Sequence, residues 1–285
     1  MTQASEARPE VVRLEVVPLE AGGAIAEVIL DRPEKLNAME PRFFHEIRQA
    51  FERVDEDDAI RVAILRAEGK HFTAGLDLMA AATGVLQPDP DAATSPVTAN
   101  TRLYRVIRDW QAGISAAERC RKPVIAAIHG YCIGGGVDLT TACDIRLCTA
   151  DATFAIQETK LALVADIGTL QRITGIVGKG IARELAYTGK QIDAERAERC
   201  GLVNTVYPDQ ESLLAGARAM AEEIAANSPL AVQGTKQVLQ YSEEHSIEEG
   251  LEHVAQWNAS YLHSQDLKEA MTAFMEKRPP VFTGR

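Results

Sequence analysis

Two glycine-bearing segments of the sequence could present backbone N–H groups to a ligand. Residues 72–78 (FTAGLDL) and residues 134–139 (GGGVDL) each follow a predicted strand and lead into a predicted helix. Glycine lets the backbone approach a ligand closely, and the first N–H groups of a helix have no partner within that helix. One donor from each segment would form an oxyanion hole for a carbonyl that becomes an enolate. Alone, the pattern supports only a backbone ligand site, because residues 134–139 lack the P-loop and G-x-G-x-x-G signatures.

Three acidic residues, Asp138, Glu158 and Asp166, lie within or follow the second segment. Each has a structural explanation, because Asp138 could complement a helix dipole, Asp166 could cap the next helix and Glu158 could be a surface acid. However, Asp138 and Asp166 sit among Val, Leu, Ala and Ile, where a carboxylate is costly unless it is paired, protonated or used. Grouped carboxylates raise one another's proton affinity, so the three residues are candidates for a general acid and base.

The elements that must position these residues alternate between strand-like and helix-like patterns, and helical patterns dominate from about residue 167 onward. The predicted strands are residues 11–17, 24–30, 60–65, 124–128 and 153–156; the predicted helices are one that follows Pro41 and residues 102–120, 181–187, 213–225, 229–241 and 267–275. This order favours an α/β fold with a βαβ-rich core and a helical C-terminal region.

Composition and charge argue against several classes of function. The chain has 285 residues, 46% of them hydrophobic, and its net charge of −11 argues against a nucleic-acid partner. It has no apolar run near the ~20 residues that span a bilayer and no signal-peptide pattern, so we expect neither membrane insertion nor secretion. Five cysteines without metal-ligand spacing predict free thiols, no metal site and a cytoplasmic location.

Four segments together resemble the crotonase (enoyl-CoA hydratase/isomerase) superfamily. They are residues 30–39 (LDRPEKLNAM), the FTAGLDL segment, residues 122–146 (KPVIAAIHGYCIGGGVDLTTACDIR) and the stretch through Gln171-Arg172. Aspartate at 138, glutamate at 158 and aspartate at 166 are most similar to the dienoyl-CoA isomerases of that superfamily, since hydratases typically place a glutamate at 138. The resemblance implies a crotonase-like ββα spiral core over residues 1–205, which holds the active site. Residues 206–285 would form a helical region for trimerisation and pocket closure.

The resemblance also implies a reaction in which the double bonds of a 3,5-dienoyl-CoA move to give a 2,4-dienoyl-CoA, a step of fatty-acid β-oxidation. The N–H groups of Leu76 and Gly135 would hold the dienolate oxygen. Glu158 would act at the α carbon and Asp166 at the ε carbon, while Asp138 would orient Glu158. Which of the two carboxylates serves which carbon stays open at this point.

A set of further residues is expected to contact the CoA part of the substrate, in keeping with the resemblance. These residues are Lys35, Leu36 and Ala38 near the nucleotide end, Thr73, Ala74, Gly75 and Asp77 near the thioester, and Lys277, which would reach the CoA of a neighbouring subunit. The family commonly forms trimers and dimers of trimers, so we expect self-association. Neither a metal nor a separate cofactor is expected, because CoA is part of the substrate. The C-terminus departs from peroxisomal relatives in lacking a Ser-Lys-Leu address.

Two other functions remain open from the sequence. The first is another crotonase reaction, most simply hydration of a 2-enoyl-CoA by Glu158 with Asp138. The second is a catalytically silent CoA-binding or RNA-binding relative. An acidic pI of about 5.1 argues against RNA, and the three carboxylates argue against catalytic silence.

Overall fold

Two β-sheets organise the computed structural model, which describes residues 10–20, 22–85, 87, 90 and 95–285. In chain order the described strands are β1 (Val12–Pro18), β2 (Ala24–Leu30), β3 (Ile60–Ala67), β4 (Val124–Ile128), β5 (Tyr131–Ile133), β6 (Ile145–Thr149), β7 (Thr153–Ala155), β8 (Ile192–Asp193) and β9 (Thr205–Tyr207). The larger sheet has the order β1-β2-β3-β4-β6-β9, and the smaller one has the order β5-β7-β8. Neighbouring strands run parallel except at β1–β2 and β7–β8.

Helices surround these sheets and make up most of the chain after β9. The described helices are α1 (Pro41–Glu56), α2 (Leu78–Ala82), α3 (Pro96–Ile114), α4 (Ala116–Arg119), α5 (Gly135–Thr141), α6 (Thr169–Val177), α7 (Lys179–Thr188), α8 (Ala194–Arg199), α9 (Gln210–Ala225), α10 (Pro229–Glu244), α11 (Ile247–Tyr261) and α12 (Gln265–Glu276). Two short 3-10 segments, Pro33–Lys35 and Glu158–Leu161, lie next to the glycine-bearing loops. In the part of the chain described, no helix combines the length and apolar character needed to cross a membrane.

The larger sheet is covered on both faces, which explains why its central strands are continuous apolar runs. Within β2, Val28 and Leu30 belong to the apolar cluster that contains the buried face of α1, whereas Ile25 belongs to a second cluster with Leu213 and Ala217 of α9. The α1 face follows from apolar residues at helical spacing after a proline in the first turn. Although α9 lies in the predicted C-terminal region, it packs directly on the sheet. The division at residue 205 stays a prediction.

Most predicted elements are present, but several observed elements, among them β6 and α8, have no predicted counterpart, and others differ in their bounds or type. The long helix predicted for residues 102–120 begins earlier, at Pro96, and ends at Ile114 before the separate helix α4. Residues 205–207, which were expected in the helical part, pair with β6 as an edge strand. A strand of three residues is too short to show the alternation that identifies strands. The helix α11 has no counterpart among the predicted helices.

A buried lysine joins the C-terminal helices to the core. Lys236 of α10 is 6% exposed, and its Nζ donates to the Asp144 carboxylate at 2.7 Å and to the carbonyl oxygen of Lys122 at 3.0 Å. The carbonyl oxygen of Ala117 lies 3.4 Å away and accepts a third hydrogen bond. A buried ammonium group requires this degree of pairing, because its desolvation cost is large.

We expect Lys236→Met to lower the free energy of unfolding by about 3 kcal/mol, because it leaves two carbonyl oxygens without this donor and the Asp144 carboxylate without its cationic partner. Urea unfolding followed by circular dichroism measures the change. Lys268→Met, at an exposed lysine in α12, is the control and should change stability by less than about 0.5 kcal/mol. Equal effects of the two substitutions would contradict the role given to Lys236.

Candidate active site

The first glycine-bearing loop is aligned by a parallel β-bridge between Met39 and Leu76. The N–H of Met39 donates to the carbonyl oxygen of Gly75 at 2.8 Å, and the N–H of Asp77 donates to the carbonyl oxygen of Met39 at 2.9 Å. Both bonds use the neighbours of Leu76 rather than Leu76 itself. In a parallel bridge of this kind, the N–H of the middle residue points away from the partner strand. The Leu76 N–H therefore faces away from Met39.

The same loop is tied to the second sheet and to the LDRPEKLNAM segment by Thr73. Its N–H donates to the Tyr131 carbonyl oxygen at 2.8 Å, and its own carbonyl oxygen accepts from Ile133 at 3.2 Å. The Thr73 hydroxyl donates to the carbonyl oxygen of Asn37 at 2.7 Å and accepts from the Gly75 N–H at 3.1 Å. Thr73 is fully buried, so these bonds hold the loop in one position.

The second glycine-bearing loop contacts the first through backbone atoms. Gly75 has φ +85°, and a Cβ atom there would lie 2.6 Å from the Ile133 carbonyl oxygen and 3.6 Å from the Gly135 nitrogen. Only glycine allows so close an approach in this conformation. Gly135 is the first residue of α5, so its N–H has no acceptor within the helix. The two predicted donors, Leu76 and Gly135, thus belong to loops in direct contact.

A pocket of about 810 Å³ joins the two loops and two of the three predicted carboxylates. Leu76, Gly135, Glu158 and Asp166 all line it, and its size suits a small-molecule ligand. The remaining wall is largely apolar and includes Met39, Phe44, Leu103, Val106, Ile107, Trp110, Leu161, Leu163 and Val164. The pocket therefore combines a few polar groups with an apolar surface that suits a hydrocarbon chain.

Glu158 lies directly after β7, in the 3-10 segment that begins with it. A Cβ atom at Gly134 would lie 3.1 Å from its Oε1, so the carboxylate stands against the start of the second glycine-bearing loop. Its Oε2 is buried and has no hydrogen-bond partner among the described residues. Burial raises the pKa of Glu158, and the negative charge of Asp166 raises that pKa further. A carboxylate of this kind is suited to accept a proton near neutral pH.

Asp166 lies before α6, on the wall of the same pocket. Its backbone carbonyl oxygen accepts a hydrogen bond from the Gln111 side-chain Nε2 at 2.6 Å. The residue as a whole is exposed, yet partial burial of its carboxyl raises the pKa of Asp166. The structure therefore brings Asp166 and Glu158 to one pocket, as the sequence predicts.

Asp138 is fully buried in α5 and does not line the pocket. Its Oδ1 accepts a hydrogen bond of 2.6 Å from the N–H of Thr169, the first residue of α6, and its Oδ2 has no partner among the described residues. Burial raises the pKa of Asp138 to about 7; the Glu158 charge adds to this shift, and the Arg172 charge opposes it. Asp138 makes no hydrogen bond to Glu158, so the orienting role stays a prediction that rests on charge.

Comparisons with known proteins identify the family of this chain. The profile of a family described as "Enoyl-CoA hydratase/isomerase" matches residues 20–285. The chain belongs to the enoyl-CoA hydratase/isomerase family. The resemblance predicted from the motifs is therefore confirmed, and so is the α/β fold class with its crotonase-like core.

Individual members of the family are similar over nearly the whole chain. A protein of Dictyostelium discoideum named "Delta(3,5)-Delta(2,4)-dienoyl-CoA isomerase, mitochondrial" is 52% identical over 90% of this chain and 87% of its own length. One of Arabidopsis thaliana with the same name but "peroxisomal" is 45% identical over 94% and 96%. A crystal structure of an enoyl-CoA hydratase from Bacillus anthracis has a TM-score of 0.86 and 29% identity, and the match covers 97% of this chain and all of that one.

Among the residues that the family resemblance assigns to CoA, Ala74 and Gly75 line the pocket, and the others lie outside it. Lys35 and Leu36 are exposed at the end of the first 3-10 segment, and the Leu36 carbonyl oxygen accepts from the Ala74 N–H at 3.0 Å. The segment from Lys35 to Ala38 is thereby held next to Ala74, which lines the pocket. Its predicted contacts with CoA stay predictions.

Asp77 makes structural contacts in this chain, and Lys277 lies on the surface at the end of α12. The carboxylate of Asp77 caps α2 by accepting from the Ala80 N–H at 3.0 Å, and it pairs with Arg32 Nη1 at 2.8 Å. The hydrogen bond from Ala80 and the pairing with Arg32 lower the pKa of Asp77. Lys277 is the exposed residue that ends α12 in a left-handed conformation, and it does not line the pocket of its own chain.

The sequence patterns did not identify Asn37, which helps to hold the first glycine-bearing loop. Asn37 is 3% exposed; its side chain accepts from the Arg32 N–H at 2.8 Å and donates to the carbonyl oxygens of Glu68 at 2.8 Å and His71 at 2.9 Å. Asn37 has φ 52°, a conformation that Asn tolerates better than most residues. An asparagine inside the LDRPEKLNAM motif is the signal that could have identified it.

The buried Asp138 makes a prediction about stability and pH. Because its folded-state pKa is about 7 against a usual value of 3.8, the native protein binds more protons than the unfolded chain between these values. Stability therefore falls as the pH rises through this window.

We expect Asp138→Asn to remove this loss. Relative to the wild type, the free energy of unfolding of the variant should rise between about pH 4.5 and pH 7.5, by up to about 4 kcal/mol at 1.36 kcal/mol per pKa unit. Urea unfolding of both proteins at several pH values measures the difference between their free energies of unfolding. The other carboxylates contribute almost equally to both proteins, so their contributions cancel in this difference. A difference that stays constant with pH would contradict the raised pKa.

Proposed function

We propose that this chain is an isomerase that converts 3,5-dienoyl-CoA to 2,4-dienoyl-CoA. The observation that carries the proposal is the meeting of Glu158 and Asp166, both with raised pKa, with Leu76 and Gly135 in one apolar pocket. The names of the Dictyostelium and Arabidopsis relatives describe the same reaction. A shift of two conjugated double bonds moves a proton between distant carbons of the acyl chain, and two carboxyl groups in one pocket suit that transfer.

The backbone donors would act first, on the thioester. Its carbonyl oxygen would accept hydrogen bonds from the N–H groups of Leu76 and Gly135, two residues that line the pocket and belong to loops in contact. Removal of a proton from the α carbon turns this oxygen into the anionic oxygen of a dienolate. Fixed donors stabilise that charge without reorganisation, so they lower the barrier more than water does.

The two carboxylates would then divide the proton transfer. Ionised Glu158 takes the proton from the α carbon, and the electron pair delocalises over the thioester and the adjacent double bonds. Protonated Asp166 gives a proton to the ε carbon, which leaves the double bonds at positions 2 and 4. After product release, Asp166 regains a proton and Glu158 loses one. The raised pKa of Asp166 favours the protonated form that gives the proton, and the raised pKa of Glu158 makes its carboxylate a stronger base than a free glutamate.

The remaining features of the protein fit an acyl-CoA substrate. The wall from Leu103 to Trp110 on α3 offers apolar surface to the acyl chain, and the segment from Lys35 to Ala38 would hold the CoA. No metal ion or separate cofactor takes part in these steps, and this expectation stays a prediction. So do the cytoplasmic location and the absence of a nucleic-acid partner, and the two relatives named above carry mitochondrial and peroxisomal names.

Self-association as a trimer or dimer of trimers is also part of the proposal. The helices α11 and α12 expose large apolar side chains, among them Ile247 at 83%, Phe274 at 82% and Met275 at 72%. Where such side chains form one contiguous patch they are typical of a protein interface, so these helices are the proposed site of contact between subunits.

The proposed reaction is tested by offering 3,5-octadienoyl-CoA and following the absorbance of the conjugated dienoyl product. We expect rapid product formation by the wild type, and a loss of about 100- to 10,000-fold in Glu158→Gln and in Asp166→Asn. Glu211→Gln, at an exposed acid far along the chain in α9, is the control and should keep full activity. Full isomerase activity of Asp166→Asn would disprove the two-ended transfer.

A 2-enoyl-CoA is the second substrate in the same assay, because hydration is the competing reaction. We expect little loss of the enoyl thioester absorbance, because we assign the carboxyl groups of Glu158 and Asp166 to an isomerisation and not to the addition of water. If hydration proceeds faster than isomerisation, the chain is a hydratase and the proposed function is wrong.

The oxyanion role of Gly135 has a matched pair of variants. Gly135→Ala keeps the N–H, and its Cβ would approach the flexible Met39 side chain closely and make an ordinary contact with Ile167. Gly135→Pro removes the N–H at the first position of a helix, which tolerates proline. We expect Gly135→Pro to lose about 100- to 1,000-fold more kcat than Gly135→Ala. Circular dichroism checks that both are folded, and equal activity of the two variants would contradict the role.

A further inference from the structure

Asp166 is held by a side chain outside the glycine-bearing loops and the three carboxylates. Gln111, near the end of α3, donates from Nε2 to the Asp166 carbonyl oxygen at 2.6 Å, and its Oε1 accepts from Arg108 Nη1 at 2.7 Å. The bond from Gln111 fixes the backbone of the residue whose carboxyl lines the pocket. Its neighbour Trp110 stacks on Phe44 of α1 with ring centroids 4.4 Å apart, so this end of α3 is itself anchored to the core.

Arg172 holds the other end of the same segment. Its Nε donates to Glu118 Oε1 at 2.8 Å, and its Nη2 donates to Glu118 Oε2 at 2.6 Å and to the Ser115 hydroxyl at 2.9 Å. The pairing is bidentate, a geometry that orients both partners strongly. Arg172 is on α6, whereas Ser115 and Glu118 belong to the junction of α3 and α4.

The arginine also lies directly against the turn that follows Asp166. Gly168 has φ +133°, and a Cβ atom there would collide with Arg172 Nη1. That Nη1 is buried and has no hydrogen-bond partner among the described residues, so packing against the turn decides its place. The segment from Asp166 to Arg172 is therefore attached to the end of α3 by Gln111 and to the α3–α4 junction by Arg172.

We propose that Gln111 and Arg172 are positioning residues that hold the Asp166 carboxyl at the ε carbon of the substrate. The inference rests on the proposed function and deepens it. Neither residue lines the pocket, so each acts through Asp166 and not on the reacting atoms. Glu158 is on a different segment, after β7, and its place does not depend on these two contacts.

This separation makes the two halves of the reaction independently measurable. If Asp166 moves while Glu158 stays, the α proton is still removed, but the dienolate returns to the starting dienoyl-CoA more often than it is protonated at the ε carbon. In D₂O, each such return can place deuterium at the α carbon of recovered 3,5-dienoyl-CoA. The ratio of α-exchange to isomerisation then reports the position of Asp166, which a general loss of stability would not change.

The experiment measures both rates with 3,5-octadienoyl-CoA in D₂O, by mass spectrometry and by dienoyl absorbance. Gln111→Met keeps the side-chain length and removes the donor, and Arg172→Lys keeps the charge and removes the bidentate pairing. We expect isomerisation to fall by about 10- to 100-fold in each variant, because misplacement of a catalytic group by about 1 Å has such an effect. The α-exchange rate should stay within about threefold of the wild type, so the ratio rises at least about threefold.

Gln240→Met is the matched control. Gln240 Nε2 donates to the backbone carbonyl oxygen of Glu118 at 2.7 Å, so its substitution removes the same kind of hydrogen bond from the same junction without touching the 166–172 segment. We expect its ratio of exchange to isomerisation to equal that of the wild type. If Gln111→Met and Gln240→Met give the same ratio, or if exchange and isomerisation fall together, the positioning role is wrong. A wild type that forms no 2,4-dienoyl-CoA would instead overturn the proposed function and this inference with it.

Discussion

The structure depends on the close contact between the two glycine-bearing loops, which is possible because Gly75 has no side chain. A Cβ atom at Gly75 would lie 2.6 Å from the Ile133 carbonyl oxygen, so any other residue would separate the loops. Their separation would move the Leu76 and Gly135 N–H groups apart, and in the proposed reaction both groups must stay within about 2.7–3.2 Å of one oxygen. The bonds of Thr73 and the bridge from Met39 keep this contact fixed before any ligand arrives.

The acids obey a different constraint, which is the cost of placing carboxylates away from water. Asp138 and Glu158 each keep one oxygen without a hydrogen-bond partner among the described residues, and such atoms are rare in native proteins. A structure selected for stability alone would pair or replace them. Their unpaired oxygens and raised pKa values are what suits them to proton transfer or to electrostatic control of it. The rest of the fold must offset that cost, through contacts such as the buried face of α1 on the sheet.

The sequence predicts the parts of this protein that depend on local pattern. The strands β2 and β4 have the predicted bounds, because each is a compact apolar run. Motifs also identify the glycine-bearing loops and the acids, whose types and spacing carry the chemistry. Sequence patterns do not predict features that depend on residues distant in the chain. The strand β9 is defined by its pairing with β6, and Gln111 contacts Asp166 across a separation of 55 residues. For α11, the S-x-x-E capping box at residues 246–249 was a local signal that periodicity alone did not use.

In the proposed reaction, the backbone donors, Glu158 and Asp166 are held in three different ways. Each way suits the positional precision that the group needs. Charge that develops on one oxygen needs donors at one fixed point, which backbone N–H groups in a rigid contact provide. A proton acceptor next to that point needs a side chain with freedom to rotate, and Glu158 has one oxygen without a bond to hold it. In the proposed reaction, a proton donor several carbons away needs an anchor other than that of Glu158, because one segment cannot satisfy both distances. The end of α3 supplies such an anchor by holding Asp166 through Gln111, and the bond between Thr169 and Asp138 joins the same segment to α5. In the proposed reaction, the separate attachment of the two acids would allow one pocket to act on both ends of a conjugated chain.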